Sequence, residues 1–159
     1  MAYQRLQVGR ALGVIPSDTI NIPNVAAVTT TGTSTAPAAS NNSLKDTSKD
    51  FIALGVKTGD IIVTATDIRT VSRVDSAEAL IISTGTSITS GTAYTIYSQV
   101  DNPSNGCTLY VGLAGNLTVE TVGGDVIQFT GVPTGSFIPV QVLKVMSTGT
   151  DAQNIVALW

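Results

Sequence analysis

The rhythm of apolar residues constrains this chain more than any other feature. Short runs rich in Val, Ile and Thr are cut at close intervals by Gly, Asn, Pro and Asp. β-Branched side chains are stiff about χ1 and fit a pleated surface better than a helix. Many short strands separated by turn residues point to a sandwich or a barrel. The expected fold class is therefore all-β and antiparallel. Strands are expected over residues 61–65, 69–74, 79–83 and 93–97, and again over 108–111, 117–121, 125–129, 137–145 and 155–159. Gly123-Gly124 predicts a two-residue hairpin turn, and Asp75-Ser76-Ala77-Glu78 a second turn. Arg69–Val74 alternates imperfectly, which leaves its register open. Pro139 has no N–H to give to a ladder, so a sheet edge or a bulge is expected within 137–145.

The punctuation also divides the chain. Residues 26–43 hold no large apolar side chain after Val28 and cannot build a core by themselves. They read as a linker, either a surface strand with loops or a tether. Residues 44–99 read as an inserted small β module, barrel-like, with one short helix over Lys49–Leu54. Asp46 or Ser48 would cap that helix and Gly55 would end it. Residues 100–106, with Asn102-Pro103-Ser104-Asn105-Gly106, are a turn-rich connector. The two ends of the chain, 1–25 and 107–159, then form one antiparallel sandwich or jelly-roll-like host domain. Within the first of these, Ile15 and Ile22 each precede a proline and are held out of the helical region. The stretch from Ile15 to Val25 reads as an extended edge with a turn at Ser17-Asp18.

Composition narrows the chemistry. The chain has 159 residues, enough for one domain or two very small ones. Only 12% of residues are charged, against about 25% in ordinary soluble domains. A surface of Thr, Ser, Asn and Gly repels neighbours weakly, which suits a subunit of a crowded assembly and equally a secreted β protein. Net charge is −3, and the eight basic residues are scattered. Phosphate binding needs them clustered, so no nucleic-acid partner is expected. No run of about eighteen apolar residues is present, so no membrane span is expected. Met1 to Arg5 lacks an apolar signal core, so synthesis in a cytoplasm is expected.

There is no histidine and a single cysteine, Cys107. That removes the commonest general base and any intrachain disulfide. The carboxylates stand singly in turns, where Asp usually caps backbone N–H groups. Gly112-Leu113-Ala114-Gly115 lies between strands with no helix to follow, so it is a turn and not a phosphate loop. No catalytic residue, cofactor or metal site is expected, and the chain reads as non-enzymatic.

Two stretches carry a resemblance. The first is Val14-Ile15-Pro16-Ser17-Asp18-Thr19-Ile20-Asn21-Ile22-Pro23-Asn24. The second is an ordered set: Leu109-Tyr110-Val111-Gly112, Gly115-Asn116-Leu117-Thr118-Val119, Gly123-Gly124-Asp125, Gly131-Val132-Pro133-Thr134-Gly135, Ile138-Pro139-Val140, Thr148-Gly149-Thr150 and Ile155-Val156-Ala157-Leu158-Trp159. Together they resemble the head spike base proteins of gene transfer agents and tailed phages. In that family the Pro-Asn segment runs almost directly into the Leu-Tyr-Val-Gly strand. Here residues 26–106 intervene, and Lys45–Tyr97 looks like a small β module of other phage structural proteins.

The resemblance implies a virion structural protein at the capsid surface, a spike base or a decoration (cement) subunit. It implies a homo-oligomer, pentamer or trimer, docked on the major capsid protein or other virion proteins. Candidate contact residues are Tyr3, Arg5 and Arg10 on the N-terminal arm, and Trp159, the only tryptophan, at the apolar C-terminal end. The other expectation is a tail- or fibre-associated adhesin or carbohydrate-binding module. It would need an aromatic platform, for which Tyr94, Tyr97 and Tyr110 are the candidates.

Overall fold

The computed structural model describes residues 8–23, 28–36, 42–83, 85–99 and 106–159. In chain order their strands are β1 (Ala11–Gly13), β2 (Val28–Thr33), β3 (Ser43–Lys45), β4 (Ile61–Val63), β5 (Ile68–Ser76), β6 (Ala79–Ile82), β7 (Ala93–Tyr97), β8 (Cys107–Leu113), β9 (Gly115–Thr121), β10 (Val126–Val132), β11 (Ser136–Val145) and β12 (Gln153–Leu158). No helix is present among the described residues. The chain forms two compact units, Met1–Val25 with Ser104–Trp159, and Ala26–Pro103. Each carries one six-stranded antiparallel sheet, so the all-β, sandwich-like class is the one that forms.

In the first unit the order is β1-β12-β8-β11-β9-β10. Alternation decides which face is covered. Cys107, Leu109 and Val111 of β8, Leu117 and Val119 of β9, and Ile155 and Ala157 of β12 are buried at every second position. Their partners across the ladder are buried too: Ile155 faces Val111, and Leu109 lies between Ala157 and Ile138. A slip of one residue would turn this whole set outward, so the register is strongly specified. The register shift in β11 falls between Ile138 and Val142, around Pro139.

The N-terminal stretch is tied to the same sheet. Ser17 N–H donates to Val145 O and Ile22 N–H to Leu143 O, each at 2.8 Å. The Ser17 hydroxyl accepts from the amides of Thr19 and Ile20, which makes the turn. The hairpin between β9 and β10 differs from its expected form. Its loop has three residues, Val122 to Gly124, closed by Thr121 N–H to Asp125 O. Gly124 takes φ +86° and the Asp125 amide turns to the Thr121 hydroxyl. Two adjacent glycines suit a primed two-residue turn, but a type I turn followed by one left-handed residue needs only the second of them.

In the second unit the order is β2-β7-β4-β5-β6-β3. Leu44, Phe51, Ile62, Val71, Leu80 and Ile96 are fully buried and form its core. Of the two readings of residues 26–43, a surface strand with loops or a tether, Val28–Thr33 takes the strand, paired along β7. Its threonines are β-branched and suit a strand although they give no apolar period. The helix expected over Lys49–Leu54 is a run of turns over 51–55. Leu54 N–H reaches Asp50 O, and the Asp50 carboxylate, not Asp46 or Ser48, accepts from the Ala53 amide. Gly55 (φ +75°) then reverses the chain so that Val56 can join Phe51 in the core. A single turn gains too few hydrogen bonds to propagate as a helix.

Candidate functional site

Several of the chemistry-bearing side chains among the described residues are committed to structure. Asp60 is buried and caps a turn, accepting from the amides of Lys57 and Gln99. Asp18 accepts from the Thr148 amide at 2.9 Å and the Thr148 hydroxyl at 2.8 Å. The Thr148 amide, with the Ser147 and Thr148 hydroxyls, lowers the Asp18 pKa below the ordinary value. Glu120 is paired with Lys144 at 2.6 Å, Asp67 with Arg69 and Asp75 with Arg73. Cys107 is buried, its thiol directed at Val142 O, and burial pushes its pKa up to about 12. A thiol held protonated and away from solvent is not a nucleophile. Among the described residues no group of three or more His, Cys, Asp or Glu side chains gathers as a metal site would.

The most constrained polar pair lies inside the second unit. The Tyr94 hydroxyl donates to Asp46 Oδ2 at 2.7 Å, while Asp46 Oδ1 accepts from the Ser48 amide (2.9 Å) and hydroxyl (2.6 Å). Burial alone would raise the Asp46 pKa, but the donors from Ser48 and Tyr94 and the charge of Lys49 outweigh it and the net shift is downward. Burial, reinforced by the Asp46 carboxylate, drives the Tyr94 pKa far up. A Cβ at Gly32 would overlap both the Tyr94 hydroxyl and the Asp46 carboxylate.

A polar pocket of about 190 Å³ opens nearby, with threonines and Asp67 in its lining. Its walls satisfy one another. Thr64 and Asp67 exchange hydrogen bonds, and Asp67 holds the Ile68 amide and the Arg69 guanidinium. No free charge remains there to fix a ligand.

Of the expected contact residues, Tyr3 and Arg5 lie outside the described residues. Arg10 is exposed, and its main chain is clasped to the other end of the chain. Trp159 N–H donates to Arg10 O (3.1 Å), and Trp159 O accepts from the amides of Gly9 (2.6 Å) and Arg10 (3.3 Å). The Trp159 side chain is half-buried against the core of the first unit. The structure thus brings Arg10 and Trp159 together.

Tyr94 and Tyr97 are both buried, which leaves neither for stacking on a ligand. Tyr110 is half-buried on the outer face of the first unit and meets Phe137, a residue the sequence marked only as part of a strand. Their ring centroids are 5.3 Å apart and the planes tilted by 59°. Pairing places Val156, Tyr110 and Phe137 in one row across β12, β8 and β11. Phe137 is 57% exposed. The aromatic cross-strand pair was not legible because nothing in β11 alone says which residue of β8 it faces. Comparison with protein-family models, with curated proteins and with solved structures finds no match.

Proposed function

We propose that this chain is a structural protein of a tailed phage or phage-like particle, a head-surface spike base or decoration subunit that self-assembles and docks on the capsid. One observation carries the reading. The two stretches that resemble spike base proteins are far apart in sequence, yet both belong to one compact unit. They share β11 as a neighbour: Ser17 and Ile22 donate to Val145 and Leu143, while β8 pairs with Ser136–Val142. The resemblance therefore follows a folded unit and not a scatter of turns. The row of Val156, Tyr110 and Phe137 adds an apolar outer face of the kind used at contacts between proteins. The structural commitments of Asp18, Asp46, Asp60 and Cys107 are in keeping with a non-enzymatic role. The adhesin reading loses two of its three candidate platform residues, since Tyr94 and Tyr97 are buried, and keeps only Tyr110 beside Phe137.

The test is to purify particles from the producing cells and locate the chain in a cryo-electron-microscopy map. Density for it on the head surface is the expected result. Absence from particles, together with a monomer at high concentration, would overturn the proposal. Native mass spectrometry of the purified chain separates a pentamer from a trimer.

A further inference from the structure

The longest of the four edge strands carries an unpaired row of backbone groups. β10 spans seven residues and, among the described residues, pairs only with β9, whereas the edges β1 and β3 have three residues each and β2 has six. The ladder phase follows from the hairpin. Thr121 N–H bonds Asp125 O, and Cα partners run Val126–Glu120, Ile127–Val119, Gln128–Thr118 and Phe129–Leu117. Hydrogen-bonded pairs alternate in an antiparallel ladder. Ile127 and Phe129 therefore bond β9, while Val126 and Gln128, and Thr130 next in the alternation, direct their N–H and C=O groups away from it. The opposite side of β9 agrees, because Thr118 O accepts from Met146 N–H.

Natural sheets guard such edges with Lys, Pro or inward-pointing charge. Val126 to Thr130 contains none of these. A bulge guards only the far end, where the register shifts between Phe129 and Val132 and Gly131 takes φ +62°. Val126 is 59% and Ile127 47% exposed.

We infer that the β10 edge pairs antiparallel with the β10 edge of a second copy of this chain, about a two-fold axis at Gln128. The segment is self-complementary under that operation. Gln128 meets Gln128 of the second copy, Val126 meets Thr130, and the two rows exchange about six main-chain hydrogen bonds. Ile127 falls opposite Phe129 of the second copy on the core-side face, twice, so both cores continue across the join. A two-fold sets a central charge against itself, and here the central residue is uncharged. This inference rests on the self-assembly part of the proposed function; being two-fold, the contact joins two chains, or two rings, and is not the head-to-tail contact within a trimer or pentamer.

The test is sedimentation of the full chain over a concentration series. The natural chain is expected to form a dimer, or a larger assembly containing that contact. Val126→Pro removes an edge donor without touching the ladder to β9, at the first strand position where proline is tolerated. It should weaken association about thirtyfold, for two main-chain hydrogen bonds lost per contact. Gln128→Lys and Gln128→Glu should each weaken association alone, and an equal mixture of the two should restore it. Restoration by mixing is something a folding defect would not produce. An assembly that none of the three variants weakens would overturn the β10 contact while leaving self-assembly standing, and would point to another surface such as the Phe137 row. A natural chain that stays monomeric throughout would overturn both.

Discussion

Replacing Tyr94 by Phe removes one hydroxyl and nothing else. The ring keeps its place against Phe51, with centroids 6.3 Å apart, so no cavity opens. What is lost is the 2.7 Å bond to Asp46 Oδ2. Both residues are buried, and a hydrogen bond to a charged partner is worth roughly 1.5–3 kcal/mol. The expected cost at pH 7 is about 2 kcal/mol in urea unfolding followed by far-ultraviolet circular dichroism. The pH dependence has a definite sign. The folded Asp46 pKa lies below its unfolded value, so its stabilisation is present above the unfolded pKa and lost as pH falls through the folded one. Protonating Asp46 turns a charge-assisted bond into a neutral one, so the cost of Tyr94→Phe should shrink toward about 1 kcal/mol as pH falls through the lowered folded pKa of Asp46. In an Asp46→Asn background the amide oxygen still accepts from Ser48, and the cost should stay near the smaller figure across that range. A cost below about 0.5 kcal/mol at pH 7, or one that grows on acidification, would refute the reasoning.

Gly32→Ala should destabilise the chain by about 3 kcal/mol, because the new Cβ overlaps the Tyr94 hydroxyl and the Asp46 carboxylate; thermal melting checks this against Gly55→Ala, whose Cβ meets open space and carries only a left-handed backbone cost of about 1 kcal/mol. Cys107 should resist a thiol-specific disulfide reagent in the native chain and react once urea unfolds it, since burial holds its pKa near 12; fast native labelling would contradict that. Trp159→Ala should cost about 2 kcal/mol of stability and leave the assembly state unchanged, as its side chain packs on the core of its own unit; loss of assembly at unchanged stability would mark it as a contact residue. Replacing Ala26–Pro103 by a short Gly/Asn linker should leave the first unit folded, read from Trp159 fluorescence and backbone NMR dispersion.

Much of the fold was legible where apolar side chains alternate. Ala93–Tyr97 is a strand residue for residue, and Leu117–Thr121 lies within β9. Pro139 announced the register shift because a missing N–H is a local fact. What escaped reading depended on partners distant in sequence. The threonines of β2 show no apolar period, and their strand exists because β7 offers a ladder. Gly32 looked like a linker glycine, yet it is required by Tyr94, which lies far along the chain. Phe137 and Tyr110 meet only through the β8–β11 register, and the exposure of β10 follows from strand order, which no single segment encodes.

The insertion point shows how one chain can hold two units without straining either. Ser17 bonds Val145, Ile22 bonds Leu143, Cys107 faces Val142 and Leu109 faces Ile138. Residue numbers rise along one side while they fall along β11. The Ser17–Ile22 segment and β8 therefore run end to end in the same direction, as one antiparallel partner of β11 interrupted between Ile22 and Cys107. Within the second unit the two outer ends of the β2–β7 pair lie together. Val28 and Tyr97 are cross-strand partners, which puts their Cα atoms roughly 5 Å apart. A unit with neighbouring ends asks little of the chain that carries it. Even unfolded it would burden the first unit lightly, since each doubling of a loop costs only about 0.6 kcal/mol. The N-terminal segment in turn is held by main-chain bonds to β11, the Asp18–Thr148 contact and the clasp of Gly9 and Arg10 on Trp159. None of these involves the second unit, so the sheet that carries β10 and the Phe137 row has its own means of staying closed.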